Sequence, residues 1–438
     1  MECTSFGNIQ SLCIKIVLFL MAFHSLYMST PAIGGDQDQC TIFNLNSIIE
    51  IAIRQNPTLK SFRHAVEVEK ALIEPSGALP DPTIGIAVLN LPMDTFSLDQ
   101  EAMTQSQIRL TQKIPYPGKL SLKKDIQALK ARAAKWRLEE EILTLKRDVR
   151  ILYWELFRIK NTLRLLQREK KTLEKIIALT TSKYETGSGL QSDVLLAQLE
   201  LTRLLDKEIA LKAQEEDRLH KLMEILGTND SCIDVKVPTR SGISSIHPLD
   251  TLAKEALRQN PGILKLEELL ELKKTSYELT KKSYYPDFSV LAAYGKRFGD
   301  NPDGSDRADF GSLMFSFNLP IFYRKKQTLE VVSALEGVKS MGERLDAKRD
   351  QVIETLKGKY AVYSGLLNQD RLYRETILPK ARSTLEALKA AYTKGRADIV
   401  GLLRAELMLY TFEEAHVYVI AKANQTLADI QALVGSEL

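Results

Sequence analysis

The side chains that most often bind metals or carry catalysis are few in this sequence and widely separated. The five histidines are His24, His64, His220, His247 and His416. No histidine or cysteine spacing fits a zinc site. The sequence also lacks a glycine-rich phosphate loop and a nucleophile elbow. These observations argue against an enzyme and a tight metal site, and we expect no cofactor.

Cysteine placement leaves one candidate disulfide. If the N-terminal segment is removed, Cys40 and Cys232 are the two cysteines that remain. Each stands at the head of a segment that leads into a similar helical sequence. In an oxidising compartment these two could form a disulfide bond, and two separate buried thiols are the alternative.

Residues 1–34 have the features of a secretory signal peptide. Lys15 precedes the apolar run Ile16–Phe23, and Ala32-Ile33-Gly34 is an acceptable cleavage context. The apolar run is too short to span a membrane, so we expect a signal peptide that is removed. An uncleaved membrane anchor is the alternative.

The charge of the chain is nearly balanced. Its 438 residues include 60 Lys and Arg against 56 Asp and Glu, which gives a formal net charge of +4. Positive and negative residues alternate along the chain, as on solvated helix faces. The charge pattern therefore does not indicate a nucleic-acid partner.

A long, proline-free stretch between Pro117 and Pro238 predicts two long helices. Apolar residues recur at alternating steps of four and three: Leu138, Ile142, Leu145, Val149, Leu152, Leu156, Ile159, Leu163 and Leu166. This repeat of 3.5 is typical of helices that pack along one another. About 65 residues from Leu120 to Tyr184 would form a helix of roughly 100 Å. A return helix is expected over residues 190–226.

Most of this organisation occurs twice, because the sequence contains an internal duplication. Arg54-Gln55-Asn56-Pro57 recurs as Arg258-Gln259-Asn260-Pro261, and the Tyr-x-x-Gly motif at Tyr184 recurs at Tyr392. We therefore divide the chain into a first repeat over 35–233, a linker over 234–248 and a second repeat over 249–438. Pro379 predicts a kink or a break in the second long helix.

Four short stretches predict β-strands, namely Thr83–Leu91, Gln105–Ile114, Asp287–Tyr294 and Ser312–Leu319. Leu313, Phe315 and Phe317 alternate with polar residues, as in outer-membrane barrel strands. A half-buried strand of a soluble sheet would give the same pattern. Four strands cannot close a barrel, and unpaired strand edges cannot face lipid, so several chains would have to share one barrel. The expected fold is mainly helical, with a small transmembrane β part.

These features resemble the TolC-like outer-membrane efflux proteins over essentially the whole mature sequence. The resemblance is carried by the paired Asn-Pro helices, the Pro-Tyr-Pro-Gly-Lys stretch at 115–119, Leu319-Pro320 and the two Tyr-x-x-Gly motifs. It implies a homotrimer in the outer membrane of a Gram-negative bacterium. Three chains would form a twelve-stranded barrel in lipid, which continues as an α-helical tunnel through the periplasm.

The resemblance also implies a passive exit duct. Substrate would arrive from an inner-membrane pump through a periplasmic adaptor, in a tripartite efflux or type I secretion system. The stretch at 115–119 is similar to the branch that serves heavy-metal and other resistance-nodulation-division (RND) pumps. A periplasmic coiled-coil adaptor or scaffold is the competing interpretation. An adaptor would carry one hairpin flanked by glycine-rich β-domains, whereas this chain has two hairpins and four strands.

By the same resemblance, the hairpin tips would form the adaptor-docking end and the gate. The expected adaptor contacts are Tyr184, Gly187, Gly189, Leu190 and Gly395. The gate would be held closed by Asp193 with Tyr392 and Arg396, although Arg396 is one residue from the usual position. Alternatively, the glycines could simply be left-handed helix caps and Asp193 a first-turn carboxylate.

One part of the tip departs from the family pattern. The positions that are acidic in the best-known members are Gly401 and Arg404 in this chain. Asp398, one turn earlier, is the candidate substitute. The tip therefore lacks the acidic pair on which cation selection would depend in the family.

Overall fold

A computed structural model describes residues 41–227, 233–239 and 241–436. Residues 1–34, Cys40 and Cys232 lie outside this part of the chain, so the signal peptide and the disulfide stay predictions. The chain divides into two compact units. Of the smaller unit, the structure describes Thr41, Ile42, Ile233 and Asp234.

Strand β1 covers Thr41–Phe43, and strand β4 covers Ile233–Val235. These two strands pair with each other in a two-stranded sheet. The larger unit contains all the other helices and strands described below.

The remaining elements of the first repeat are three short helices, then a pair of strands, then a long helical hairpin. In order they are α1 (Leu45–Gln55), α2 (Pro57–Ala71), α3 (Ile73–Gly77), β2 (Thr83–Leu89), β3 (Gln105–Ile114), α4 (Lys119–Glu185) and α5 (Gln191–Leu226).

The second repeat has the same order of elements. They are α6 (Leu249–Gln259), α7 (Pro261–Lys281), a 3₁₀ turn (Lys282–Tyr284), β5 (Phe288–Arg297), β6 (Phe310–Phe317), α8 (Gln327–Leu372), a π-helical turn (Tyr373–Ile377), α9 (Leu378–Thr393) and α10 (Ile399–Val434).

An asparagine followed by proline starts the second helix of each repeat. The Asn56 side chain accepts a hydrogen bond from the Leu59 N–H and donates one to the Ile225 carbonyl. Asn260 caps α7 in the same way and donates to the Leu433 carbonyl at 2.8 Å. Each asparagine therefore satisfies a free N–H at a helix start and ties it to the end of that repeat's return helix.

Each limb of the first hairpin has the same length as the corresponding limb of the second. Helix α4 has 67 residues, and α8, the π turn and α9 together span as many. The return helices α5 and α10 have 36 residues each. Within the outgoing limb of the second hairpin, the π turn directly precedes Leu378 and Pro379. Because proline lacks an N–H and crowds the preceding turn, the regular α pattern is interrupted there.

The larger sheet is four-stranded and antiparallel, in the order β2-β3-β5-β6. Its central pair joins the repeats, with Ile114 opposite Phe288. Strand β2 ends two residues earlier than expected, at Leu89, since Asn90 has a positive φ of 53°. Strand β5 runs on to Arg297, three residues past the expected end. Strand β6 covers Phe310–Phe317 rather than Ser312–Leu319.

One face of this sheet carries large apolar side chains in the open. Ile86 is 82% exposed and Phe315 is 71% exposed. The other exposed apolar strand residues include Ile84, Val88, Ile108, Leu110, Leu313 and Phe317. A soluble monomer rarely leaves such a continuous apolar surface uncovered.

The core lies in the seams between the long helices. On α4 the predicted apolar seam is buried at Val149, Leu152, Leu156, Ile159 and Leu166. In the linker region, the Lys236 carbonyl accepts a hydrogen bond from Tyr153 Oη, and the Ser244 carbonyl accepts one from Tyr363 Oη. No helix of the described chain is apolar over a length that would cross a bilayer.

Candidate functional site

The two hairpin tips have the same backbone geometry. After α4, the Gly187 N–H donates to the Tyr184 carbonyl and the Ser188 N–H to the Lys183 carbonyl. After α9, the Gly395 N–H donates to the Tyr392 carbonyl and the Arg396 N–H to the Ala391 carbonyl. This pair of bonds defines a Schellman motif, which needs a left-handed residue at the glycine position.

Both glycines have the required conformation, with φ of 71° at Gly187 and 69° at Gly395. Both glycines are therefore left-handed helix caps, which was the alternative to a role in adaptor contact. A capping role does not exclude contact with an adaptor. Gly189 is needed for a different reason, because a Cβ there would lie 3.0 Å from the Lys183 Cβ.

Tyr392 is buried at the second tip and contacts the first hairpin. Its side chain is 5% exposed, and Lys183 Nζ lies 3.8 Å from the centroid of its ring. An ammonium group over a tyrosine ring is an attractive cation–π interaction. The structure thus brings together the ends of α4 and α9, through a lysine that we did not predict.

Asp193 lies in the first turn of α5 and is half-buried. Within the described residues its side chain makes no hydrogen bond or ion pair, with Tyr392, Arg396 or any other group. The closing interactions that we expected for these three residues therefore stay a prediction for the assembled protein. Nearby, Tyr184 and Leu190 are exposed at 47% and 67%.

Asp398 is the N-cap of α10. Its Oδ1 accepts a hydrogen bond from the Gly401 N–H at 2.9 Å. A Cβ at Gly401 would lie 2.8 Å from the same oxygen, so a larger residue there would crowd the cap. Arg396 and Arg404 are exposed.

A buried polar layer farther along the hairpins was missed by the sequence analysis. Glu169 on α4 is 3% exposed, and Glu406 and Tyr410 on α10 are 6% and 4% exposed. Burial and the negative charge of Glu406 raise the pKa of Glu169 to about 7. Burial also raises the pKa of Tyr410 well above its ordinary value. Glu169 lies three residues after Leu166 and four before Leu173, which is the spacing of the apolar seam. A charged residue at such a position was the sequence signal for a buried acid.

Metal binding has no obvious location in the described part of the chain. No three His, Cys, Asp or Glu side chains there converge in a way that could hold an ion. The features that the structure does bring together are two capped tips, a lysine–tyrosine contact between hairpins and an exposed apolar sheet.

A sequence model of the outer membrane efflux protein family matches residues 48–228 and again residues 252–436. The chain belongs to this family. The double match agrees with the duplicated elements of the fold. As an outer membrane efflux protein, the chain is an outer-membrane exit channel, and the family is one of channel proteins.

Relatives of this efflux protein support that assignment. The chain is 20% identical over 391 residues to the outer membrane protein TolC of Escherichia coli, covering 85% of this chain and 78% of that one.

Among solved structures, the outer membrane protein VceC of Vibrio cholerae is similar with a TM-score of 0.73 at 15% identity. That match covers 90% of this chain and 96% of VceC. The open MtrE channel of Neisseria gonorrhoeae has a TM-score of 0.71 at 15% identity, with 90% and 89% covered.

Proposed function

We propose that three copies of this efflux protein close one twelve-stranded barrel in the outer membrane. The supporting observation is the sheet itself, in which β2 and β6 each pair on one side only within the described chain. Open edges expose backbone N–H and carbonyl groups that lipid cannot satisfy. Pairing β6 of one copy with β2 of the next would remove every edge.

The exposed apolar face of the sheet supports contact with lipid. Ile86 and Phe315 would point into the membrane, while Ala87 and Ser316 alternate with them on the opposite face. Aromatic residues lie at the end of the strands that leads into the helices, and Tyr116 and Tyr285 stack there at 4.5 Å. Aromatic side chains favour the membrane–water interface.

The hairpins would continue as a helical tunnel, with the tips at its far end. There the tip residues Tyr184, Gly187, Gly189, Leu190 and Gly395 would contact a periplasmic adaptor. Four apolar side chains on and beside the first turns of α5 are exposed, namely Leu190, Leu195, Leu196 and Leu199. Such a patch is typical of a protein-binding surface.

The pump behind the adaptor would be an inner-membrane transporter, which we propose to be of the RND type on the basis of the stretch at 115–119. Residues 1–34 would direct the chain to the periplasm before assembly.

The assembly can be tested with a pair of strand variants. Lysine in place of Ile86 on the lipid-facing side should prevent membrane insertion, because a charged residue there costs about 2–4 kcal/mol at the bilayer centre. Ala87→Lys, on the opposite face, should still insert. The measurement is the amount of heat-modifiable trimer extracted from outer membranes.

Light scattering of the extracted wild-type protein should give three times the mass of one chain. A soluble monomer, or equal tolerance of lysine at both positions, would exclude the proposed barrel.

A further inference from the structure

We propose that Glu169 and Glu406 form a buried proton-binding site, which makes the packing of α4 against α10 tighter in mild acid than in mild base. This inference goes beyond channel formation and does not depend on the barrel, the tips or the partners proposed above. It follows from the burial of two carboxyl groups, from their surroundings and from the presence of one shared cation for two acids.

Apolar side chains flank the two glutamates along their helices. Leu166 and Leu173 flank Glu169 on α4, and Leu402 and Leu403 precede Glu406 on α10; all four leucines belong to one buried cluster. Water is largely excluded from such a layer, so a charge there is costly unless another group neutralises it.

Hydrogen bonds are incomplete at this layer. Within the described chain, Glu169 Oε1, Glu406 Oε2 and Tyr410 Oη are buried and have no hydrogen-bond partner. Lys389 Nζ lies 3.5 Å from Glu406 Oε2 and also 3.5 Å from the exposed Glu386. One shared cation cannot balance two buried carboxylates.

Other charged side chains on the helices that pack here form ion pairs with one another. The pairs are Arg168 and Arg382 with Glu413, Lys170 with Glu208, and Lys207 with Glu414. They join α4, α5, α9 and α10 to one another. Arg168 and Lys389 lower the pKa of Glu169, but burial and Glu406 outweigh them.

A proton resolves the imbalance. With Glu169 protonated, its O–H can donate to the Glu406 carboxylate, which leaves one negative charge beside Lys389. Loss of that proton would place two like charges in the apolar layer.

The sign of the pH dependence follows from proton linkage. The pKa of Glu169 is about 7 in the folded chain and 4.5 when the group is free. Between these values the folded state binds the extra proton, so its stability falls as pH rises through about 7. Below 4.5 the group binds a proton in both states and contributes nothing further.

The test measures thermal unfolding of the full-length protein in detergent between about pH 5.5 and pH 8.5. The wild-type melting temperature should fall across this range. A single proton can change the folding equilibrium by up to about tenfold per pH unit. Glu169→Gln, which resembles the protonated acid, should flatten the profile and equal or exceed wild type at the alkaline end.

Glu174→Gln is the matched control, because Glu174 is exposed on the same helix. It should keep the wild-type profile. Equal slopes in wild type and Glu169→Gln would overturn the proposal, as would a flat profile in Glu174→Gln.

Two further measurements keep the proposal testable if Glu169→Gln does not assemble. Infrared spectra of the wild-type protein at neutral pH should contain a buried protonated carboxyl band, which Glu406→Gln shifts by replacing the charged carboxylate acceptor with a neutral amide. Absence of that band would overturn the proposal. So would a melting temperature at alkaline pH that rises with sodium at constant ionic strength, since a metal cation would then occupy the site.

Discussion

Lys183 and Tyr392 join the two hairpins at their tips. The lysine Nζ lies 3.8 Å from the centroid of the tyrosine ring, and the ring is almost fully buried. The contact connects the last turn of α4 to the last turn of α9. The tyrosines of the two Tyr-x-x-Gly motifs, Tyr184 and Tyr392, are 208 positions apart in the sequence. The two repeats are therefore held together where we propose that the channel is gated.

Lys183→Met should loosen this contact. Methionine retains most of the side-chain length but removes the charge, which costs about 0.5–2 kcal/mol of cation–π attraction. We expect a higher conductance of the closed channel in planar bilayers. Lys394→Met is the control, because Lys394 is exposed beside the other tip and makes no ion pair or ring contact in the described chain. Equal effects of the two variants would mean that only tip charge matters.

Tyr392→Phe separates two possible roles of the tyrosine. Phenylalanine keeps a ring for Lys183 but loses the hydroxyl that Asp193 would bind in the assembled gate. We expect an increased closed-state conductance if the hydroxyl closes the gate. Unchanged conductance would assign the role of Tyr392 to its ring alone.

Asp193→Ala should raise single-channel conductance by removing the carboxylate that we propose to hold the tip closed. The matched control is Asp206→Ala, an exposed aspartate farther along α5. Unchanged conductance in Asp193→Ala would place the gate elsewhere.

Asp398→Ala should destabilise the start of α10 by about 1 kcal/mol, because it removes the N-cap bond to the Gly401 N–H. Asp398→Ser retains a capping oxygen without the charge. If Asp398 is only a cap, the serine variant should match wild type in melting temperature and in ion selectivity. A shift of ion selectivity away from cations in both variants would show that the charge acts on the pore.

Gly187→Ala should cost about 1–2 kcal/mol, because a left-handed backbone is unfavourable for a residue with a Cβ. Nothing lies within 4 Å of the added atom, so the cost would be conformational rather than steric. Gly242→Ala, in the linker and also without close neighbours, should be nearly neutral. The melting temperatures of the purified variants compare them directly, and equal values would contradict the required left-handed turn.

Much of the fold could be predicted because its signals are local and periodic. The limits of α4 and α5 agree with the expected helices to within one residue at each end. Strand ends were less accurate, since Asn90 ends β2 through its own backbone conformation, while β5 continues as far as its pairing with β3 allows.

The site was harder to predict than the fold. The Tyr-x-x-Gly motif indicated the capped tips, but nothing local placed Lys183 over a ring in the other repeat. Continued past Leu166, the alternating steps of four and three place Lys170 rather than Glu169 in the apolar seam, so Glu169 was overlooked. The structure instead buries Glu169 and directs Lys170 to Glu208 at 2.6 Å. A one-residue offset in the frame was enough to hide the buried acid.

The matched lengths of the hairpin limbs have a consequence for how this protein can change. One residue inserted into α5 would move its end by about 1.5 Å and turn its seam by roughly 100°. Only the altered limb would be displaced, so its tip would no longer be level with the tip of the other hairpin. In the proposed trimer this mismatch would occur three times around the end of the tunnel. Insertions and deletions should therefore be tolerated in the loops between strands, whereas the limbs can change length only in concert.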